Sequence, residues 1–168
     1  MPWTKTTIET RRLRLRVFRD DDKATIISLV TDPAVRRHLG GPVPSEHVDG
    51  IRHATVGERW GAFCVADLTT DTAIGSVSFG QQHGELEVSY DLLPEYWHRG
   101  LATEAVAAAI GWAWSHTDDP SIIAVTQTAN ERSLRLLDRL GFVAEREFEE
   151  FGAPQSQLRL ARPSPDPI

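Results

Sequence analysis

The chain reads as one mixed α+β domain, and three observations carry that expectation. Its 168 residues, 40% hydrophobic and 25% charged, have the size and balance of a single unit with a proper core. Strand-like and helix-like segments follow one another in the order strand, helices, three strands, helix, strand, helix, two strands. The three central strand segments are joined by the short turn-rich connectors TTDT and QQHG, the pattern of an antiparallel meander.

In RRLRLRVF, over about 11–18, Arg12, Arg14 and Arg16 alternate with Leu13, Leu15 and Val17, the period of a strand with one wet and one buried face. A solvated arginine face is expected there rather than a nucleic-acid patch. RDDDKATIISLVTDP reads as a helix, because its aspartates enrich the first turn, where the macrodipole favours them. Pro33 follows its end and opens a second short helix. Beyond the glycine- and proline-rich HLGGPVPSEH, the segment SEHVDGIRHATVGERW is a further helix, weakened by Gly50 and Gly57. GAFCVADLT, TAIGSVSFG and GELEVSYDLL are the meander strands. A helix over 99–116, the β-branched strand SIIAVTQT and the helix NERSLRLLDRL, ending at Gly141, come next. FVAEREFEE and SQLRLA supply two late strands, and the proline-rich tail 163–168 is expected to be extended or disordered.

Composition argues against several classes of function. The formal charge of −6, from 24 acidic and 18 basic residues, is wrong for a protein whose main partner is nucleic acid. No apolar run reaches the roughly 18 residues of a membrane span, and MPWTKTTIETRR lacks the apolar core of a secretory signal. A cytoplasmic protein with no membrane partner is therefore expected. Cys64, the one cysteine, allows neither an intrachain disulfide nor a cysteine-based zinc cluster, and its apolar setting in AFCVAD predicts a buried side chain. The six histidines form no HExxH pair, so no metal site is expected. A nucleophile elbow, a P-loop and a three-glycine dinucleotide fingerprint are all missing from the sequence.

The informative stretch is YDLLPEYWHRGLATEAVAAAI, residues 90–110, where a strand runs through a proline and a lone glycine into an alanine-rich helix. A helix N-terminus leaves about four backbone N–H groups without intrahelical partners, and the aligned peptide dipoles add positive potential. The positions that could place N–H groups around a phosphate are His98 to Thr103. Gly100 removes a Cβ where a ligand must come close, Ala102 is nearly as small, and Thr103 can add a hydroxyl. An ordinary strand-to-helix turn that needs a glycine is the plainer reading. In the preceding strand, alternation puts Glu85, Glu87, Ser89 and Asp91 on one face and Leu86, Val88, Tyr90 and Leu92 on the other.

LLPEYWHRGLATEA resembles the acyl-CoA signature of the GNAT acetyltransferase superfamily, Arg/Gln-x-x-Gly-x-Gly/Ala at the start of a helix after a splayed strand. It is most similar to the bacterial-type branch of ribosomal-protein N-terminal-amine acetyltransferases. Trp97 stands where the Arg/Gln is usual, and His98 replaces a frequent glycine. ETRRLRLRVFRDDD resembles the family's first strand and helix, and ANERSLRLLDRLGFV its segment NxxSxxLxxKxGF, so the likeness covers nearly the whole chain in the right order.

The resemblance implies one GNAT-like domain over 1–162, a mixed, mostly antiparallel sheet of about seven strands splayed at its centre, and helices on both faces. It implies acetyl-CoA as co-substrate without a metal, and an amine acceptor, either a protein N-terminus or a small molecule. The strands would part near Leu92, with backbone groups of Asp91, Leu92 and Leu93 pairing with the pantetheine arm and the Leu92 N–H meeting the thioester carbonyl. The diphosphate would sit on the amides of His98, Arg99, Gly100, Leu101, Ala102 and Thr103, with Arg99 as local cation and Arg135 or Arg139 as helpers. Asn130 is a favoured N-cap by general helix rules; the resemblance adds a contact to pantetheine.

An amine attacks a thioester only when neutral, and an alkylammonium has a pKa near 10, so a base is needed. Glu87 matches the family's glutamate and is the expected general base. The tyrosine that many members use to reprotonate the thiolate falls on Leu137, which leaves Ser133 for that role. On the acceptor side Trp60, Phe63 and Phe79 are candidates to line a pocket, with Glu46 and Asp49 able to attract a cation. The resemblance also allows a homodimer. A non-catalytic acyl-CoA-binding module of the same fold and an unrelated nucleotide-binding protein are the alternatives.

Overall fold

The computed structural model describes residues 6–165. The chain forms β1 (Ile8–Glu9), β2 (Leu13–Arg16), α1 (Lys23–Thr31), α2 (Pro33–Arg36), α3 (Ser45–Thr55), β3 (Ala62–Asp67), β4 (Ala73–Gly80) and β5 (Glu87–Leu92). It continues through α4 (Leu101–His116), β6 (Ser121–Gln127), α5 (Glu131–Arg139), β7 (Val143–Glu150) and β8 (Ala153–Ala161). The strands make one eight-stranded sheet in the order β1-β2-β3-β4-β5-β6-β8-β7. Every neighbouring pair is antiparallel except β5 and β6. The meander of short connectors is thus β3-β4-β5.

The eighth strand, β1, is the addition to the expected seven; it is two residues long and pairs Ile8 with Leu15. Helix α3 stops at Thr55, short of the expected end, because Gly57 takes φ +97° and donates its N–H to the Phe18 carbonyl at 2.9 Å. Residues 163–165 have no regular structure, and the remainder of the proline-rich tail lies outside the described residues.

Helices cover both faces. Leu13, Leu15, Phe63, Val77 and Val88 join Val106, Ala109 and Leu137 from α4 and α5 in the larger core. Ile26 and Leu29 from α1 and Val35 from α2 pack on Cys64, Ala66 and Ala73 on the other side. Cys64 is buried as expected, and burial pushes its thiol up to about 12.

The arginine face of β2 differs from expectation. Arg16 is 2% exposed, with Nη1 and Nη2 donating to the Asp22 carboxylate at 2.8 and 3.0 Å and Nε to Asp71 Oδ1 at 3.0 Å. That face is the one α1 covers, so the charge goes under the helix with its counterions instead of into water. Burial pushes the Asp71 carboxyl up, but hydrogen bonds from Arg16, Arg14 and Arg19 prevail and hold it at about 2.

What positions the site is the closeness of β4 to β5. Gly75 pairs with Leu92, and a Cβ on Gly75 would lie 2.2 Å from the Asp91 carbonyl oxygen and 2.4 Å from Leu92 Cδ2. The obstacle is backbone, which cannot swing aside. Gly75→Ala is expected to lose about 1–3 kcal/mol of folding stability through overpacking, read as a lower urea midpoint; an unchanged midpoint would show that β5 yields freely at Leu92.

Candidate functional site

β5 and β6 run parallel, and among the described residues their pairing is one bridge, Glu87 to Ile123. The split therefore opens just after Glu87, well before the expected parting near Leu92. Val88 to Leu92 on one side and Ala124 to Thr126 on the other then line a cavity of about 330 Å³, with the start of α4 at one end and α5 along its flank.

Ladder geometry decides which backbone groups face this split. Leu93 N–H donates to the Ile74 carbonyl at 2.9 Å, so the alternation of an antiparallel pair turns the groups of Asp91 toward β4 and the N–H of Leu92 toward β6. The expectation that Asp91, Leu92 and Leu93 all offer free backbone is thus corrected. Leu93 is used at both ends, its carbonyl accepting from the Tyr96 N–H at 3.0 Å, and Asp91 faces β4 while its carboxylate accepts from Ser76 Oγ at 2.6 Å. The Leu92 carbonyl is taken by the Trp97 indole N–H at 2.8 Å. The Leu92 N–H is what remains, held beside a peptide that is pinned on both sides.

At the mouth of α4, none of the backbone N–H groups from His98 to Thr103 donates to a protein acceptor among the described residues; the next, Glu104, donates to the Gly100 carbonyl at 3.1 Å. The loop gains its shape from two left-handed residues, His98 at φ +60° and Gly100 at φ +73°. His98, Gly100, Leu101, Ala102 and Thr103 line the cavity. Arg99 does not: it is exposed, with its guanidinium 5.8 Å from the Tyr96 ring centroid. The expected helpers Arg135 and Arg139 do line the cavity, together with Arg132, whose guanidinium lies 3.5 Å from the centroid of Trp97. Arg132 is three residues before Arg135 on the same helix face, a spacing from which it could have been read.

Asn130 caps α5, its Oδ1 accepting from the Ser133 N–H at 3.2 Å, and both residues line the cavity. Ser133 Oγ lies 2.5 Å from the hydroxyl of Tyr90. The resemblance left Ser133 alone in this role, with no tyrosine beside it; strand and helix bring Tyr90 to Ser133 from the other side of the cavity. Burial pushes the Tyr90 phenol up to about 12, against the hydrogen bond with Ser133. Leu137, at the position of the missing tyrosine, is core.

Glu87 is 5% exposed, so it is neither a solvated strand residue nor part of the cavity wall; its neighbour on the same face, Ser89, lines the wall. Its Oε2 is 2.6 Å from Nδ1 of His83, whose Nε2 is 2.9 Å from Glu150 Oε2. With both ring nitrogens facing carboxylate oxygens, the arrangement suits an imidazolium donating to each. The turn carrying His83 and the distant β7 gave no sign of this in the sequence. On the acceptor side, Phe63 and Phe79 are core beneath Trp112, and Trp60 lies tilted against the same indole, ring centroids 5.5 Å apart; none lines the cavity. Glu46 and Asp49 are exposed on α3.

A family model described as Acetyltransferase (GNAT) domain matches residues 12–143. The chain is 30% identical over 154 residues to the Bacillus subtilis protein named Uncharacterized N-acetyltransferase YoaA, covering 82% of this chain and 83% of that one. Among solved structures, a Bacillus anthracis GNAT-family acetyltransferase superposes with TM-score 0.83 at 21% identity over 93% of this chain and 98% of that one. Ribosomal-protein-S5-alanine acetyltransferase from Vibrio fischeri gives 0.72 at 21% identity, covering 93% and 96%. Spermidine N-acetyltransferase from Vibrio cholerae, in complex with CoA and spermine, gives 0.76 at 19% identity, covering 90% and 96%.

Hydrogen bonds to Glu87, then to Glu150, raise the His83 pKa above 6.5, against the effect of burial. A raised folded-state pKa means the imidazolium's stabilisation is fully present below the unfolded value and fades as pH rises through the folded one. The melting-temperature gap between wild type and His83→Gln is therefore expected to be largest near pH ~6 and to narrow by pH ~9. A gap that does not change with pH would show that His83 holds no proton between the carboxylates.

Proposed function

The chain belongs to the GNAT acetyltransferase family, and on that premise we propose that it moves an acetyl group directly from acetyl-CoA to a primary amine in a ternary complex. The observation that carries the proposal is the row of unpartnered amides at His98 to Thr103, set at one end of a split in the sheet. A cofactor with a diphosphate at one end and an extended arm needs those two features in line. The helix-mouth amides and dipole take the diphosphate. Arg132, Arg135 and Arg139 supply positive charge along the wall, needed in a chain whose net charge is −6. The CoA bound to the spermidine N-acetyltransferase of the same fold supports this reading.

In the proposed reaction the arm lies between β5 and β6 and the thioester carbonyl meets the Leu92 N–H, which stabilises the oxyanion formed on attack. The nitrogen–carbon bond forms and the carbon–sulfur bond breaks. Glu87 stands outside the cavity wall and five residues before Leu92, so the nitrogen's proton reaches it through water; its Oε1 accepts no hydrogen bond among the described residues, while His83 holds Oε2. The sulfur is met by Ser133. A phenol with a pKa of about 12 stays protonated and so can donate to Ser133 Oγ, the arrangement that would leave the serine hydrogen free to point at the leaving sulfur. Glu87 then gives its proton to solvent and Ser133 recovers one from it, so that the proton lost by nitrogen balances the one taken up by sulfur.

The acceptor is proposed to be a protein N-terminus or a small amine. The two named activities among the fold neighbours, on a ribosomal-protein alanine and on spermidine, support one each.

A panel of amines with acetyl-CoA, monitored by free thiol release, tests the proposal. Glu87→Gln is expected to bind CoA as wild type does and to slow acetylation by about 100-fold or more. An unchanged rate would remove Glu87 from the mechanism, and tight CoA binding with no turnover of any amine would favour the non-catalytic acyl-CoA-binding reading.

A further inference from the structure

We infer that Arg12 and Glu104 form a clamp beneath the α4 mouth that holds the 98–103 loop in its anion-binding shape and cancels the negative charge Glu104 would otherwise present to a diphosphate. The inference rests on the acyl-CoA reading above and assigns positioning roles to two residues outside the cavity wall.

Four bonds converge on one carboxylate. Arg12 Nε and Nη2 each lie 2.7 Å from Glu104 Oε2. The Arg12 backbone N–H donates to Oε1 at 2.8 Å, and Thr10 Oγ1 donates to the same oxygen at 2.7 Å. The remaining arm of the guanidinium, Nη1, donates to the Arg99 carbonyl at 2.8 Å. The turn between β1 and β2 is thereby tied both to the first turn of α4 and to the middle of the loop.

The loop has reason to need this. His98 holds φ +60°, a conformation that L side chains adopt reluctantly, and Gly100 holds φ +73°. Left to itself such a segment would relax, and its free amides would diverge. The carbonyl of Arg99, between the two left-handed residues, is where Arg12 takes hold.

Charge gives the second role. A carboxylate in the first turn of a helix stabilises the helix, but here it stands beside the amides that would receive an anion. Arg12 covers it with a two-pronged contact, and Arg12 Nη2 comes within 3.5 Å of where a Cβ on Gly100 would lie. Bonds from Thr10 and Arg12 outweigh burial in keeping Glu104 ionised. The Arg12 side chain is 44% exposed and Glu104 17%, and the Thr10 hydroxyl and the residue 12 backbone N–H stay on the carboxylate when the Arg12 side chain is removed, so the half-open pair adds little to folding stability. The consequence of losing the pair therefore belongs to ligand binding.

The test is CoA titration by calorimetry of wild type, Arg12→Ala and Arg12→Ala/Glu104→Gln, with the ligand-free melting temperature of each. Arg12→Ala is expected to weaken CoA binding by about tenfold to 100-fold, the range for a lost charge-assisted contact, with the ligand-free melting temperature nearly unchanged. Adding Glu104→Gln, which removes the bared charge, is expected to recover part of the affinity, a rescue that a merely structural role would not produce. If Arg12→Ala does not fold, Arg12→Lys, which keeps the charge and loses the fork, is expected to weaken CoA binding by a smaller factor. Equal CoA affinity in wild type and the Arg12 variants overturns the clamp alone. A double variant weaker than Arg12→Ala overturns the charge-cancelling role. A wild-type chain that binds no CoA overturns the acyl-CoA reading and the clamp with it.

Discussion

The separation of β5 from β6 beyond the Glu87–Ile123 bridge is the constraint on which the site depends. A parallel pair left unzipped exposes N–H and C=O groups inside a fold, and such groups are costly unless something answers them. At the end of the strand the groups of Asp91 to Leu93 are answered locally, with one exception. β4 takes those of Asp91, Ile74 takes the Leu93 N–H, and the Trp97 indole takes the Leu92 carbonyl. The Leu92 N–H is left to face the gap, at the point where a backbone donor is useful to an acyl transfer.

The same economy appears at the helix mouth. Trp97 packs against both cores, and from it the chain passes through two left-handed residues into α4. Gly75 lets β4 close on β5 at Leu92, the Trp97 indole holds the Leu92 carbonyl, and Arg12 holds the middle of the loop. The cavity is thus framed by rigid elements on every side that matters: a strand edge, a helix terminus, and an arginine-bearing helix face.

Much of this was legible in the sequence, where period and punctuation carry the information. The order of elements, the meander, the buried Cys64, the α4 mouth and the Asn130 cap all follow from local patterns that local structure obeys. What escaped was set by tertiary partners. Alternation put Arg16 on a wet face, but α1 covers that face and Asp22 and Asp71 receive the charge. Alternation likewise put Glu87 on a polar face without showing that His83 and Glu150, from a turn and a distant strand, would enclose it. The position of the family's tyrosine, on the helix at Leu137, gave no sign that Tyr90 reaches Ser133 from the strand instead. Phe63 and Phe79, drawn toward an acceptor pocket by their chemistry, belong to the core beneath Trp112.

A crystal structure of the chain with CoA bears most directly on the account. The diphosphate is expected within hydrogen-bonding distance of the amides from His98 to Thr103, with the pantetheine arm lying between β5 and β6 and its sulfur near Leu92 and Ser133. A diphosphate bound away from that helix mouth, or β5 and β6 zipped together along their length in the complex, would contradict it.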